Sequence, residues 1–288
     1  MQPELIEIKQ NWPGFDPFIG SWLCRGNPTL VMDVGPSASV QRLIQALQDR
    51  GIEKVDYVLL SHIHIDHAGG LADFLKHFPM ATAVCHAKGI KHLVEPTQLW
   101  EGSLKVLGEL ARGYGPIKPV SADKIRPHSE VRIKDLAVIP TPGHAVHHLS
   151  YTYQGFLFSG EAAGNFFNIQ GKPYLRPAVP PPFFMDQFLD SLKQLAALPD
   201  QPICYVHFGQ AGSSLEMVDR IRAQLIRWHE IITHESTQSQ EGLAERCLAT
   251  LLDKDPDLSA FHSLHPETQK REKTFMLNSI KGYLDRLI

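Results

Sequence analysis

The sequence predicts an α/β protein with mixed sheets covered by helices, followed by an all-helical C-terminal extension. Three observations predict it. Short apolar runs closed by glycine alternate with amphipathic stretches through the first two thirds of the chain, the pattern of sheets that carry helices on their faces. Two of the runs, "HLSYTY" and "GFLFSG", are separated only by the pair Gln154-Gly155, a hairpin signal, so the sheets contain antiparallel pairs. From Ser214 to Ile288 only helical periodicity remains. The expected division is therefore residues 1–213 as the α/β unit and 214–288 as a helical extension packed on it.

Taken in order, "TLVMDVG" (Thr29 to Gly35) is a buried strand ended by glycine. In "SASVQRLIQALQDRG" the apolar residues Val40, Leu43, Ile44 and Leu47 fall at i, i+3, i+4, i+7. Gly51 stands where a C′ residue belongs, which predicts an amphipathic helix. "VDYVLL" is the next buried strand, "LADFLKHF" a helix stopped before Pro79, and "ATAVCH" another strand. Proline and glycine are spread from Glu95 to Pro119 around one helical piece near Leu104 to Leu110. "LAVIPTPG" is a strand running into a loop. Asn165 to Phe184, aromatic, proline-rich and aperiodic, predicts a long functional loop. "DQFLDSLKQLAAL" is a helix with Asp186 as N-cap, and "ICYVH" is the last strand. Three helical stretches follow, joined through the polar segment "EIITHESTQSQEG".

Composition narrows the function. A hydrophobic fraction of 43% and a charged fraction of 20% are those of a globular protein with a sizeable core. The net charge is −3 and no long basic run occurs, which argues against nucleic acid or an anionic membrane as partner. The start "MQPELIEIKQ" lacks a basic segment followed by an apolar one, and no apolar stretch approaches the ~20 residues needed to span a bilayer. Cys24, Cys85, Cys204 and Cys247 are scattered without a C-x-x-C pair, as in reduced cytoplasmic proteins. The expected partner is a small-molecule substrate, and a homodimer is compatible with the helical surface.

Histidine stands out, at 15 residues, many of them clustered. In "VDYVLLSHIHIDHAGGL", His62, His64, Asp66 and His67 follow an apolar strand directly. The carboxyl ends of strands are where α/β proteins carry their chemistry. Imidazole and carboxylate are the ligands of borderline metals such as zinc and iron. His62 and His64, two apart, can point one way, leaving Asp66 and His67 for a second ion. His144 in "IPTPGHAVHHLSY" and His207 in "ICYVHFG" also follow apolar strands. His147 and His148, crowding His144, read as supporting or packing histidines, because a metal-binding imidazole needs its other nitrogen held.

These segments resemble the metallo-β-lactamase superfamily over about Thr29 to Gly209, through "SHIHIDHAGG", "TPGHAVHHLSY", the acidic residue ending "FLFSGE", "YVHFG" and the strand-end "MDVG". The resemblance implies a four-layer αββα sandwich for residues 1–213, with the site in loops at one edge of the two sheets. It implies that His62, His64 and His144 hold one metal and Asp66, His67 and His207 the other, with Asp33 supporting a ligand from behind. His148 is expected among the supporting groups. The family usually has aspartate after the glycine of "FLFSG"; here Glu161 stands there, one methylene longer, which leaves open whether it bridges two ions or binds one.

The implied chemistry is attack by metal-bound hydroxide on a small ester, thioester or lactone, with Asp66 also guiding the proton to the leaving group. Two divalent ions are expected, zinc foremost, with iron or manganese as alternatives. The competing readings are a mononuclear iron oxidoreductase of the same fold, similar to a persulfide dioxygenase, and a metal-binding regulatory protein with little turnover. Phe166, Phe167, Tyr174 and Arg176 of the predicted loop, and the aromatic stretch "NWPGFDPFIGSW", are the candidates for walling a small, partly apolar substrate.

Overall fold

The computed structural model describes residues 2–287. Its first sheet runs β1 (Glu4–Glu7), β2 (Gly20–Cys24), β3 (Leu30–Met32), β4 (Tyr57–Leu59), β5 (Thr82–Cys85) and β6 (Ile125–Pro127), in that spatial order. β1, β2 and β3 pair antiparallel, and β3 to β6 pair parallel. β7 (Leu136–Pro140), β8 (Leu149–Tyr153) and β9 (Phe156–Gly160) begin the second sheet. A separate hairpin follows, of β10 (Asn165–Ile169) and β11 (Lys172–Arg176). β12 (Ile203–Tyr205) and β13 (Gly209–Ala211) then complete the second sheet, in the order β13-β12-β9-β8-β7. The helices are α1 (Val40–Gln48), α2 (Ile65–Ala68), α3 (Leu71–His77), α4 (Ala87–Val94), α5 (Thr97–Leu107), α6 (Glu109–Tyr114), α7 (Met185–Ala196), α8 (Ser214–Ser236), α9 (Leu243–Lys254) and α10 (Pro266–Leu287). Among the described residues, no helix is long and apolar enough to cross a membrane.

The period-2 alternation of strands builds the layers. Trp22, Cys24, Leu30, Met32, Leu59 and Val84 of the first sheet face Leu149, Tyr151, Phe158 and Cys204 of the second, forming a core between the sheets. Their neighbours Leu23, Val31, Val58, Ala83 and Cys85 turn the other way, into the core under the helices. This is the αββα sandwich expected from the sequence. α8, α9 and α10 supply the all-helical C-terminal region, and Trp228, Leu251, Met276 and Ile280 belong to that same helix-side core. Each such fully buried apolar side chain contributes on the order of 1.5–3 kcal/mol.

Local expectations fare differently. α1 buries Val40, Leu43, Ile44 and Leu47. It ends in a Schellman turn with Gly51 at φ +71°, where Ile52 N–H donates to the Leu47 carbonyl at 3.0 Å and Gly51 N–H to Gln48 at 2.8 Å. β8 and β9 form the predicted hairpin, with Gln154 and Gly155 both at positive φ as a two-residue turn matched to strand twist requires. Three expectations are corrected. Asn165 to Phe184 is no long loop: its first half is the β10–β11 hairpin, turning through Gln170 and Gly171 at positive φ. The helical piece near Leu104 to Leu110 is two helices, α5 and α6, broken at Gly108 with φ +55°. Asp186 does not cap α7; the helix starts one residue earlier and Asp186 lies in its first turn.

Candidate metal centre

Every candidate ligand sits just beyond the carboxyl end of a strand, at one edge of the sandwich. The loop after β4 carries His62 and His64 and leads into α2, with Asp66 and His67. The loop after β7 carries His144, Glu161 follows β9, and His207 follows β12. The side chains converge as two groups, His62, His64, His144 and Glu161, and Asp66, His67 and His207. Within each group the ligand atoms lie within 4.8 Å of one another. His64 Nδ1 stands 2.9 Å from His62 Nε2 and 3.0 Å from His144 Nε2. His67 Nε2 stands 3.2 Å from His207 Nε2. Asp66 Oδ2 is 3.5 Å from His207 Nε2 and 3.8 Å from His67 Nε2.

Glu161 lies between the groups. Its Oε2 is 2.9 Å from His144 Nε2, 3.4 Å from His67 Nε2 and 3.6 Å from His62 Nε2, and its Oε1 is 4.0 Å from His207 Nε2. The longer side chain thus reaches both groups.

The opposite ring nitrogens explain the inward orientation. His62 Nδ1 contacts Ser61 Oγ at 3.1 Å, and His67 Nδ1 contacts Asp33 Oδ2 at 3.0 Å. His144 Nδ1 reaches the Ala178 carbonyl at 2.9 Å and His207 Nδ1 the Phe18 carbonyl at 3.0 Å. These oxygens accept, so each Nδ1 carries a proton and each Nε2 faces the centre. Asp33 is itself fixed by Ser61, whose backbone N–H donates to Oδ1 at 2.8 Å and whose hydroxyl donates to Oδ2 at 2.6 Å. His148 supports the site differently from the expectation. Its Nδ1 bonds Thr141 Oγ1 at 2.8 Å and its Nε2 accepts the Glu161 backbone N–H at 3.1 Å, so it fixes the backbone of Glu161 and not an imidazole. Gly160 makes this possible. It turns at φ +55°, and a Cβ there would sit 2.5 Å from His148 Nε2.

This donor set fits divalent ions. Ligands 2.0–2.1 Å from a tetrahedral ion are about 3.3 Å apart, close to the spacings here. Unprotonated nitrogens that face one another repel unless a cation lies between them. The electrostatics agree. Burial, then the His67 and His64 rings, push His62 well below its ordinary value, and burial with His144 brings His64 down to about 3. Burial alone would raise Glu161, but His144 and His67 outweigh it and hold the carboxyl well below the usual range. Burial would likewise lower His67, but Asp66 and Asp33 outweigh it and raise this one ring. Neutral imidazoles and ionised carboxylates are the states that bind metal, so His62, His64 and Glu161 are already in them, while His67 would give up a proton as the ion binds.

A cavity of about 570 Å³ opens over the centre. His64, Asp66, His144, Glu161 and His207 form its floor; Leu99, Val106 and Leu107 of α5, Val146, and the segment from Ala178 to Phe184 form apolar walls. Phe18, from the N-terminal aromatic stretch, lines it and stacks on His207 with ring centroids 4.3 Å apart. Of the four predicted substrate contacts, Arg176 reaches the cavity. Phe166, Phe167 and Tyr174 do not line it: Phe166 stacks on Tyr205, Phe167 on Phe18, and Tyr174 donates to Glu272. All three are buried, so these aromatics are core. Sequence reasoning missed Asn165, Asn278 and Ser279 among the lining residues, and none of them carries a motif.

A family model described as the metallo-β-lactamase superfamily matches residues 20–207. A metallo-β-lactamase fold-containing protein of Sulfurisphaera tokodaii is 31% identical over 197 residues, covering 65% of this chain and 71% of its own length. A hydroxyacylglutathione hydrolase of Aeromonas salmonicida is 29% identical over 246 residues, covering 83% and 80%. A crystal structure of an archaeal metallo-β-lactamase superfamily protein from Sulfolobus tokodaii aligns over 98% of both chains with a TM-score of 0.67 at 24% identity.

Proposed function

The chain belongs to the metallo-β-lactamase superfamily, and from that premise we propose that it is a metal-dependent hydrolase of a small, apolar ester, thioester or lactone. The observation that carries the reading is the pair of donor groups sharing Glu161 on the floor of an apolar cavity. His62, His64 and His144 would hold one ion and Asp66, His67 and His207 a second, with the Glu161 carboxylate within reach of both. The second group favours two ions over a mononuclear centre. Imidazole and carboxylate ligands suit zinc. When bound, such ions acidify water into a nucleophile at neutral pH and polarise the carbonyl under attack.

The chain's own residues supply the rest. The walls from α5 and from Ala178 to Phe184 bind an apolar group and exclude water. Asp66 keeps a side chain 20% exposed toward the cavity, which suits it to carry a proton to the leaving group. The hydroxyacylglutathione hydrolases among the relatives are named for a substrate whose glutathione part carries two carboxylates. Here the described lining residues include no lysine and one arginine, Arg176, which is buried against Glu272. An uncharged substrate matches such walls better than a glutathione thioester. A cytoplasmic setting is part of this proposal, supported by four free, buried cysteines.

The test is metal analysis of the purified protein together with a panel of uncharged esters, thioesters and lactones. Turnover should vanish on chelation and return with zinc. Because His64 stands between His62 and His144, His64→Ala should abolish turnover and release metal. Unaltered activity and metal content in that variant would rule the scheme out.

A further inference from the structure

A line of buried polar side chains leads from Glu161 to the C-terminal helices. The Asn165 amide is satisfied in one orientation. Its Nδ2 donates to Glu161 Oε1 and to the Gly164 carbonyl, both at 3.2 Å, and its Oδ1 accepts from Arg176 Nη2 at 3.1 Å. Asn165 and Arg176 are directly opposite across the β10–β11 pair, which puts the two side chains side by side. Arg176 in turn pairs through Nε with Glu272 of α10. Glu272 also accepts from Tyr174 Oη at 3.0 Å and from Arg271 Nε at 2.9 Å. Asn165 and Arg176 are each 2% exposed, at the edge of the cavity, and Glu272 is 0% exposed, so these groups depend chiefly on one another for partners.

The two oxygens of Glu161 therefore have separate partners. Oε2 faces His144, His67 and His62, while Oε1 takes the Asn165 amide and lies 4.0 Å from His207 Nε2. A glutamate has one more rotatable bond than an aspartate, and an inward-facing carboxylate needs something to stop that rotation. Charge supports the same arrangement. Arg176, Arg271 and Glu272 leave one net positive charge buried next to Asn165, and the ionised Glu161 is the anion on the amide's other side.

We propose that Asn165 is the positioning residue that orients Glu161 toward both groups of ligands, and that Arg176, anchored by Glu272, holds the Asn165 amide in that orientation. The proposal rests on the reading of Glu161 as a metal-holding carboxylate. It gives α10 a part in the site although it supplies no ligand. It also accounts for glutamate: an aspartate, shorter by one C–C bond of about 1.5 Å, would not span from the same backbone position to both the histidines and the amide.

The test is a double-mutant cycle on zinc affinity, measured by competition with a chelating dye on the full-length, metal-stripped protein. Asn165→Leu should weaken the affinity for one of two ions by about 10–100-fold, the range for groups that orient ligands. In the Glu161→Asp background, where the contact is already lost, Asn165→Leu should change affinity less than about threefold. A merely structural role in the hairpin gives the same loss in both backgrounds, and that result, or an unchanged affinity in folded Asn165→Leu, overturns the proposal. Should the leucine variant not fold, Asn165→Ser goes through the same cycle with the same two outcomes. Wild-type protein that binds none of zinc, iron or manganese would instead overturn the metal-dependent reading itself, so the two failures are distinguishable.

Discussion

Replacing Glu272 with glutamine tests how the helical region is fastened to the site. The carboxylate is 0% exposed and is the counterion of Arg176 and Arg271, themselves 2% and 4% exposed. Glutamine keeps the shape and removes the charge, leaving two guanidinium groups in the interior. Breaking a buried pair in this way costs about 3–5 kcal/mol, far more than the pair's net worth, because the orphaned charge cannot reach water. With an unfolding entropy near 2.1 cal/mol/K per residue, 288 residues give about 0.6 kcal/mol/K, so the melting temperature should fall by about 5–8 °C. Differential scanning calorimetry on metal-free protein measures it. Glu109→Gln is the control, since Glu109 pairs with Arg112 on the surface with side chains 80% and 64% exposed, and no shift is expected. The sign with pH is also fixed. Burial alone would raise the Glu272 carboxyl, but Arg176 and Arg271 outweigh it and hold it below 4.5. Its stabilisation is then complete above that pH and is lost as pH falls through the folded value, so the gap between wild type and variant should narrow in acid. A melting temperature within about 1 °C of wild type at pH 7 would refute the buried-pair argument.

Two further outcomes are expected at the site. Gly160→Ala places a Cβ 2.5 Å from His148 Nε2 at φ +55°. Left-handed backbone costs about 1–2 kcal/mol and an orphaned Glu161 N–H about 1–3, so urea unfolding should show a loss of about 2–5 kcal/mol, with weakened zinc binding beside it. Metal-free protein should lose stability as pH falls below about 6.5. Burial keeps His62, His64 and His148 neutral when folded, and the unfolded chain takes up protons that the folded site refuses. Each such ring contributes a slope of up to about 1.4 kcal/mol per pH unit. Thermal melts of chelated protein flat from pH 7 to 5 would contradict this.

The parts of the molecule legible in the sequence are those decided locally. α1 is announced by its period and Gly51, and the β8–β9 hairpin by Gln154-Gly155. The ligand histidines follow strands whose apolar runs are unbroken, so their common edge could be anticipated. The β10–β11 hairpin was not legible. Asn165, Phe166 and Phe167 are all buried, so "NFFNI" shows no alternation, and the prolines from Pro173 onward outweigh a Gln170-Gly171 turn that repeats the Gln154-Gly155 signal. Its aromatics therefore read as substrate contacts when they are core. Arg176 read as a substrate contact of the same loop, and its partner lies 96 residues away on a helix whose own pattern says nothing of a site.

The distribution of cost across the fold argues that the centre and the core are complementary. Buried imidazoles facing one another are unfavourable without a cation, and the hydrogen bonds they donate to Asp33, Ser61, Phe18 and Ala178 hold them there regardless. Such an arrangement can persist only if the surrounding layers supply the stability that the site does not. The inter-sheet core, built from alternate strand residues, and the helix-side core, which extends into α8 and α10, flank the strand ends from which the ligands project. Metal binding would then relieve the repulsion and add its own free energy to folding, since the unfolded chain has no assembled site. The helical extension, on this argument, does more than cover the sandwich: through Glu272 and Arg176 it reaches the one carboxylate that both groups of ligands share.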